Sequence, residues 1–162
     1  MVINKQRKKN QMMFKQIGEL LPEINSIYTQ LDEYYQDLDQ HLNNELSREM
    51  VKYIKTKKQL LGEMLKYYSK AGNKEVLQTW IQFTPDYDFD QQIEIFKLDP
   101  DMGISKVQQI VVNNETWLLE FYEYIVKTTS SSKVKELFQA ILERQRKDIK
   151  NLVSYTEILQ DL

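Results

Sequence analysis

A carboxylate set inside an apolar helical stripe either helps to hold a metal ion or pairs with a buried cation. Glu115, between Val111 and Leu118, and Glu143, beside Leu142, stand in such places. Lys57 and Lys58 interrupt the stripe from Ile54 to Leu61, Asn114 adjoins Glu115, and Gln145 and Arg146 lie between Leu142 and Ile149. With Lys57 or Lys58 paired to Glu115, and Glu143 to Arg146, these seven residues compose a candidate polar core layer. Leaving one member of such a buried pair alone costs about 3–5 kcal/mol, so the members stand or fall together. The competing and preferred reading places them at stripe edges where long side chains reach water. A different chemistry, metal binding or oxidoreduction, would use an altered carboxylate site of Glu115, Glu143, Glu120 and Asp88.

Other residues offer less. Asp86, Asp88 and Asp90 imitate the start of a calcium loop, but the sixth place lacks glycine and Lys97 fills the twelfth. His41 is the single histidine and has no partner at metal-ligand spacing. Arg48, Lys52, Lys55, Lys66 and Lys70 share a face of one helix; without interleaved aromatics they read as a solvated face, and nucleic-acid binding is the weaker alternative. No phosphate loop, nucleophile elbow or catalytic triad can be assembled. Enzymatic activity therefore has no positive support, and no cofactor is expected.

The elements that must position these residues are helical. Only four glycines and three prolines punctuate 162 residues, and β-branched residues are scattered rather than alternating, which predicts an all-α protein. Ile17, Leu20, Leu21, Ile24, Ile27, Tyr28, Leu31, Tyr34, Tyr35 and Leu38 step by threes and fours, predicting an amphipathic helix within 11–43, kinked or restarted at Pro22. Further helices are expected from Ser47 to Gly72, from Lys74 to Phe83, from Ile104 to Thr128 and from Lys133 to about Leu159. Residues 1–10 form a basic tail, 47–161 the four-helix bundle, and 1–162 a single domain.

An internal match supports two hairpins in tandem. A shift of 57 residues lays Ile54 on Val111, Leu61 on Leu118, Glu63 on Glu120 and Tyr67 on Tyr124; one residue more lays Val76 on Val134 and Trp80 on Phe138. With the cap and phase around Tyr122, Val134 to Phe138 and Glu143, this pattern resembles the ferritin-like superfamily, especially its rubrerythrin-like branch, over 47–159. That resemblance implies an up-down bundle of two αα-hairpins, here with an additional long N-terminal helix. In the family each hairpin gives a glutamate about seven residues before a tyrosine, and a Glu-x-x-His on its second helix, which together hold two irons. Carried over, the second hairpin keeps Glu115, seven before Tyr122, and Glu143, but Arg146 stands where the histidine belongs. The first hairpin has Lys58, Pro85 and Asp88 at the corresponding places. A guanidinium or an ammonium has no lone pair for a metal, so the resemblance implies a bundle whose metal ligands are mostly lost.

Composition bounds the setting. The net charge of −2 gives no global field toward nucleic acid or an anionic membrane, and the absence of cysteine excludes disulfides and thiolate chemistry. No apolar run approaches the roughly 18 residues of a membrane span, and no signal-peptide core follows the basic start, so the expected location is the cytoplasm. The expected role is an interaction or structural module with a protein partner, possibly a second copy. Ile17, Ile24, Tyr28, Leu31, Tyr34, Tyr35 and Leu38 are the candidate interface, since this stripe must be covered either by the bundle or by another chain.

Overall fold

The computed structural model describes residues 13–83 and 98–161, and the fold is a helical bundle with one small ribbon. Four long helices carry it: α1 (Ile17–His41), α2 (Glu45–Ala71), α4 (Ile104–Thr128) and α5 (Ser132–Gln160). A single turn, α3 (Lys74–Leu77), follows α2. Strands β1 (Met13–Gln16) and β2 (Trp80–Phe83) pair antiparallel, with Lys15 opposite Ile81 and Gln16 opposite Trp80. Among the described residues no helix is long and apolar enough to cross a membrane.

Contacts at the helix ends fix the directions. The Asn43 amide, in the turn joining α1 to α2, donates to Pro100 O at 2.9 Å, just before α4 begins. At the other end Lys133, opening α5, is 2.6 Å from Glu75 on α3. The directions are therefore up, down, down, up, with α2 and α4 parallel. One long crossover between two short-looped hairpins is one of the standard solutions for four packed helices.

Three expectations need correction. The helix expected from Lys74 to Phe83 is one turn capped by Asn73, followed by β2. Pairing with β1 gives these few residues backbone partners that a lone short helix could not supply. The N-terminal helix is no addition. Ile17, Ile24, Tyr28, Leu31, Tyr35 and Leu38 are at most 4% exposed, Tyr34 is half-buried, and the stripe is covered by the chain's own bundle rather than by a second copy. It starts at Ile17 and continues through Pro22. Gly18 allows a close approach at its start, where the Ile17 amide donates to Thr79 O and a Cβ on residue 18 would stand 3.1 Å from Leu77 O.

The third correction concerns the repeat. The hairpins are α1–α2 and α4–α5, and their offset is 87 residues, as from Ile17 to Ile104 and from Glu45 to Ser132. The turns 42–44 and 129–131 correspond, and so do the caps Asn44 and Ser131, whose side chains accept from Ser47 N and Val134 N. Leu31 maps to Leu118, Tyr35 to Tyr122, Ile54 to Ile141, Leu65 to Leu152 and Tyr68 to Tyr155. The offset of 57 instead joins α2 to α4, parallel helices whose apolar stripes match because both face one core.

Candidate functional site

Amphipathic periodicity turns one stripe of each long helix inward, and at mid-height each stripe contributes a polar residue. These are Tyr28 from α1, Lys58 from α2, Glu115 from α4 and Gln145 from α5, none more than 3% exposed. In the 87-residue register they form two equivalent pairs, Tyr28 with Glu115 and Lys58 with Gln145. A turn or two away lie Tyr35 and Tyr122, also equivalent and fully buried.

Glu115 is the hub. Lys58 Nζ forms an ion pair with its Oε2. Tyr35 Oη donates to Oε1 at 2.9 Å, and Gln145 Nε2 donates to Oε2 at 3.1 Å and to the main-chain oxygen of Glu115 at 3.0 Å. Lys58 Nζ also lies 4.5 Å from the centre of the Tyr28 ring, within cation–π range. The Tyr28 and Tyr122 hydroxyls hydrogen-bond to each other. Burial, with the Glu115 charge adding to it, pushes the Tyr28, Tyr35 and Tyr122 hydroxyls above the usual phenol range, which keeps them protonated. The buried Gln145 Oε1 has no hydrogen-bond partner.

The structure thus splits the candidate layer. Lys58, Glu115 and Gln145 come together in the interior, against the preference for stripe edges. Lys57 is half-buried, its Nζ 5.5 Å from the Tyr53 ring centre, and Asn114 is half-buried beside Tyr35. Glu143 and Arg146 are exposed and do not pair. Arg146 reaches across to Glu123 on α4, and Glu143 accepts from Gln139 one turn back. Three residues apart on the outer side of α5, both find partners in water-facing positions.

The alternative carboxylate set does not converge either, since Glu120 and Glu143 are exposed while Glu115 is enclosed; Asp86, Asp88 and Asp90 lie outside the described residues. Among the described residues no three His, Asp or Glu side chains gather as a metal-binding group. His41 is exposed, with Nδ1 2.9 Å from Asp37 O. On the basic face, Lys52 is near Glu49 and Asp39, and Lys55 bonds to Gln36.

Sequence reasoning missed Asp148, buried on α5 and 3.7 Å from Arg144 Nε. It also assigned Tyr28 and Tyr35 to an interface rather than to this layer. The 87-residue register, visible in the equal spacing of Tyr28–Tyr35 and Glu115–Tyr122, was the signal that could have found them.

A di-iron centre needs several carboxylates and imidazoles with free lone pairs. Here one carboxylate is saturated by donors, an ammonium occupies the middle, and the remaining groups are an amide and phenols. The residues present do not fit that group. Comparison with protein-family models, curated proteins and solved structures finds no significant match.

Proposed function

We propose that this chain is a ferritin-like bundle in which an internal ion pair stands where relatives would bind metal, and that it works as a non-catalytic interaction or structural module. One observation carries this reading: the Lys58 ammonium is paired to Glu115 at the centre of the four helices, both almost fully buried. In the 87-residue register the family pattern falls on Tyr28 and Glu115, each seven before a tyrosine, and on Lys58 with Leu61 and Gln145 with Asp148. Only Glu115 and Asp148 keep a ligating carboxylate there, and Lys58 supplies in place a positive charge of the kind a bound metal would bring. Glu143 drops out of the carried-over set.

Because the α1 stripe is consumed inside the bundle, a partner must meet another surface. Leu60, Met64 and Tyr67, at successive turns of α2, are 45%, 55% and 74% exposed and form the apolar ridge outside.

Elemental analysis of protein purified without chelator tests the reading. The expected result is far less than one transition metal per chain. Near-stoichiometric iron or manganese that disappears in Glu115→Ala overturns it and revives the carboxylate-site alternative.

A further inference from the structure

The two hairpins differ on their outer surfaces as well as in the core. Between α1 and α2 a cleft of about 340 Å³ opens over Gly62, with Tyr28 and Lys58 in its lining and Asn25, Asp32, Glu63 and Lys66 among its walls. The register of the hairpins provides an internal control. Eighty-seven residues on, Asn25, Asp32, Gly62 and Lys66 become Val112, Leu119, Ile149 and Val153. All four aliphatic residues are half-buried, and Val112 and Leu119 pack against the core. The equivalent positions carry hydrocarbon in one half and polar groups or glycine in the other.

Gly62 marks a close approach of α2 to α1 beside the cleft. Glycine is among the least favourable residues inside a helix, yet here a single Cβ would already stand 3.3 Å from Asn25 Oδ1 and 3.5 Å from the Tyr28 ring. The charges are arranged as well. Lys58 is answered inside by Glu115, so the cleft presents Asp32 and Glu63 against Lys66. Gln59 Nε2 donates to Asp32 Oδ1 at 3.0 Å and holds that carboxylate in place. Gln59 and Lys66 are seven residues apart on α2, about 10 Å at the helical rise of about 1.5 Å per residue, so Asp32, held by Gln59, and Lys66 mark the two ends, with Glu63 between them along α2.

We propose that the α1–α2 cleft binds a small extended zwitterion of the ω-amino-acid class, its ammonium at Asp32 and its carboxylate at Lys66, beside Gly62. The volume lies at the small end of ligand pockets, about 300–1,000 Å³. The proposal goes beyond the reading above and shares with it only Tyr28 and Lys58, which line both the cleft and the central layer.

The test is a ¹H–¹⁵N NMR titration of the full chain with 4-aminobutyrate, n-butylamine and butyrate. Saturable shifts are expected with 4-aminobutyrate, confined to the amides of α1 from Asn25 to Asp32 and of α2 from Gln59 to Lys66. Because each end contributes one water-accessible ion pair, either single-ended analogue should bind about fivefold more weakly. Gly62→Ile, the residue the second hairpin uses, should abolish the shifts, and Asp32→Leu should weaken 4-aminobutyrate about fivefold, to the level of butyrate. Asp32→Leu removes one exposed α1–α2 hydrogen bond, from Gln59, and leaves the buried core residues unchanged, so it decides the matter if Gly62→Ile does not fold. Absence of saturation by 4-aminobutyrate, equal binding of n-butylamine, or 4-aminobutyrate binding that is unchanged in Asp32→Leu overturns the proposal.

Discussion

The α1–α2 and α4–α5 hairpins share a turn length, an N-cap position and most of their apolar register, yet they place opposite chemistry at the centre. Where α1 has Tyr28, α4 has Glu115; where α2 has Lys58, α5 has Gln145. Two copies of either hairpin would bury two carboxylates or two ammoniums facing each other, each without a counter-charge. The difference makes the layer neutral: one anion, one cation, and phenol and amide donors around the anion. The halves are thus alike where the packing needs only hydrocarbon and complementary where it encloses charge. Complementarity of this kind ties each half to the other.

The largest effect should come from breaking what is common to both halves. Leu31 and its counterpart Leu118 are each no more than 3% exposed. Leu31→Asp puts an unpaired carboxylate into that core, and the expected outcome is loss of cooperative folding by circular dichroism at 25 °C. A folded monomer with native helicity would instead place α1 outside the core and restore it as a surface for a second copy.

Breaking what differs between the halves should cost less and separate charge from packing. Lys58→Met leaves Glu115 buried without its cation, and Glu115→Leu leaves Lys58 without its anion. Each is expected to destabilise by about 3–5 kcal/mol, a fall in Tm of roughly 10 °C for a chain of this size. The double variant should recover much of that loss, since an apolar pair of similar volume needs no counter-charge. Thermal melts of the four proteins give the coupling directly. If the single changes add, Lys58 and Glu115 do not act as a pair and the neutral-layer account fails.

Much of this was legible in the sequence. Apolar stripes of 25 residues or more define the long helices, because burial of one face is what stabilises a helix in a bundle. A lysine and a glutamate interrupting such stripes already pointed to each other. The sequence did not distinguish Lys57 from Lys58, because neighbours 100° apart on a helix both border a wide stripe; only the packed direction of α2 turns Lys58 inward. The repeat was misread for a related reason. Any two amphipathic helices can be superposed by whole turns, so matched hydrophobics alone do not choose between offsets of 57 and 87, whereas turn lengths and caps do. The ribbon escaped because strands of four residues show no usable alternation, and β2 is defined by its pairing with β1 rather than by its own pattern.

The smallest effect at neutral pH, and the sharpest probe of the layer's surroundings, is alkaline titration. Tyr28 and Tyr35 from the first hairpin and Tyr122 from the second are held above the ordinary phenol range, chiefly by burial, and burial raises Tyr34 to about 12. Below about pH 10 these groups are protonated in both the folded and the unfolded chain, so they make stability independent of pH there. Above it the unfolded chain gives up their protons and the folded one retains them, so stability falls as pH rises through the folded values. Absorbance at the phenolate band should therefore show part of the ten tyrosines titrating near pH 10 and the rest only together with loss of helicity. In Glu115→Gln the nearby negative charge is removed, and the late phase should move to lower pH while still following unfolding. A single smooth titration of all the tyrosines, with helicity intact, would mean that water reaches the layer, and the two hairpins would then differ in composition without enclosing anything between them.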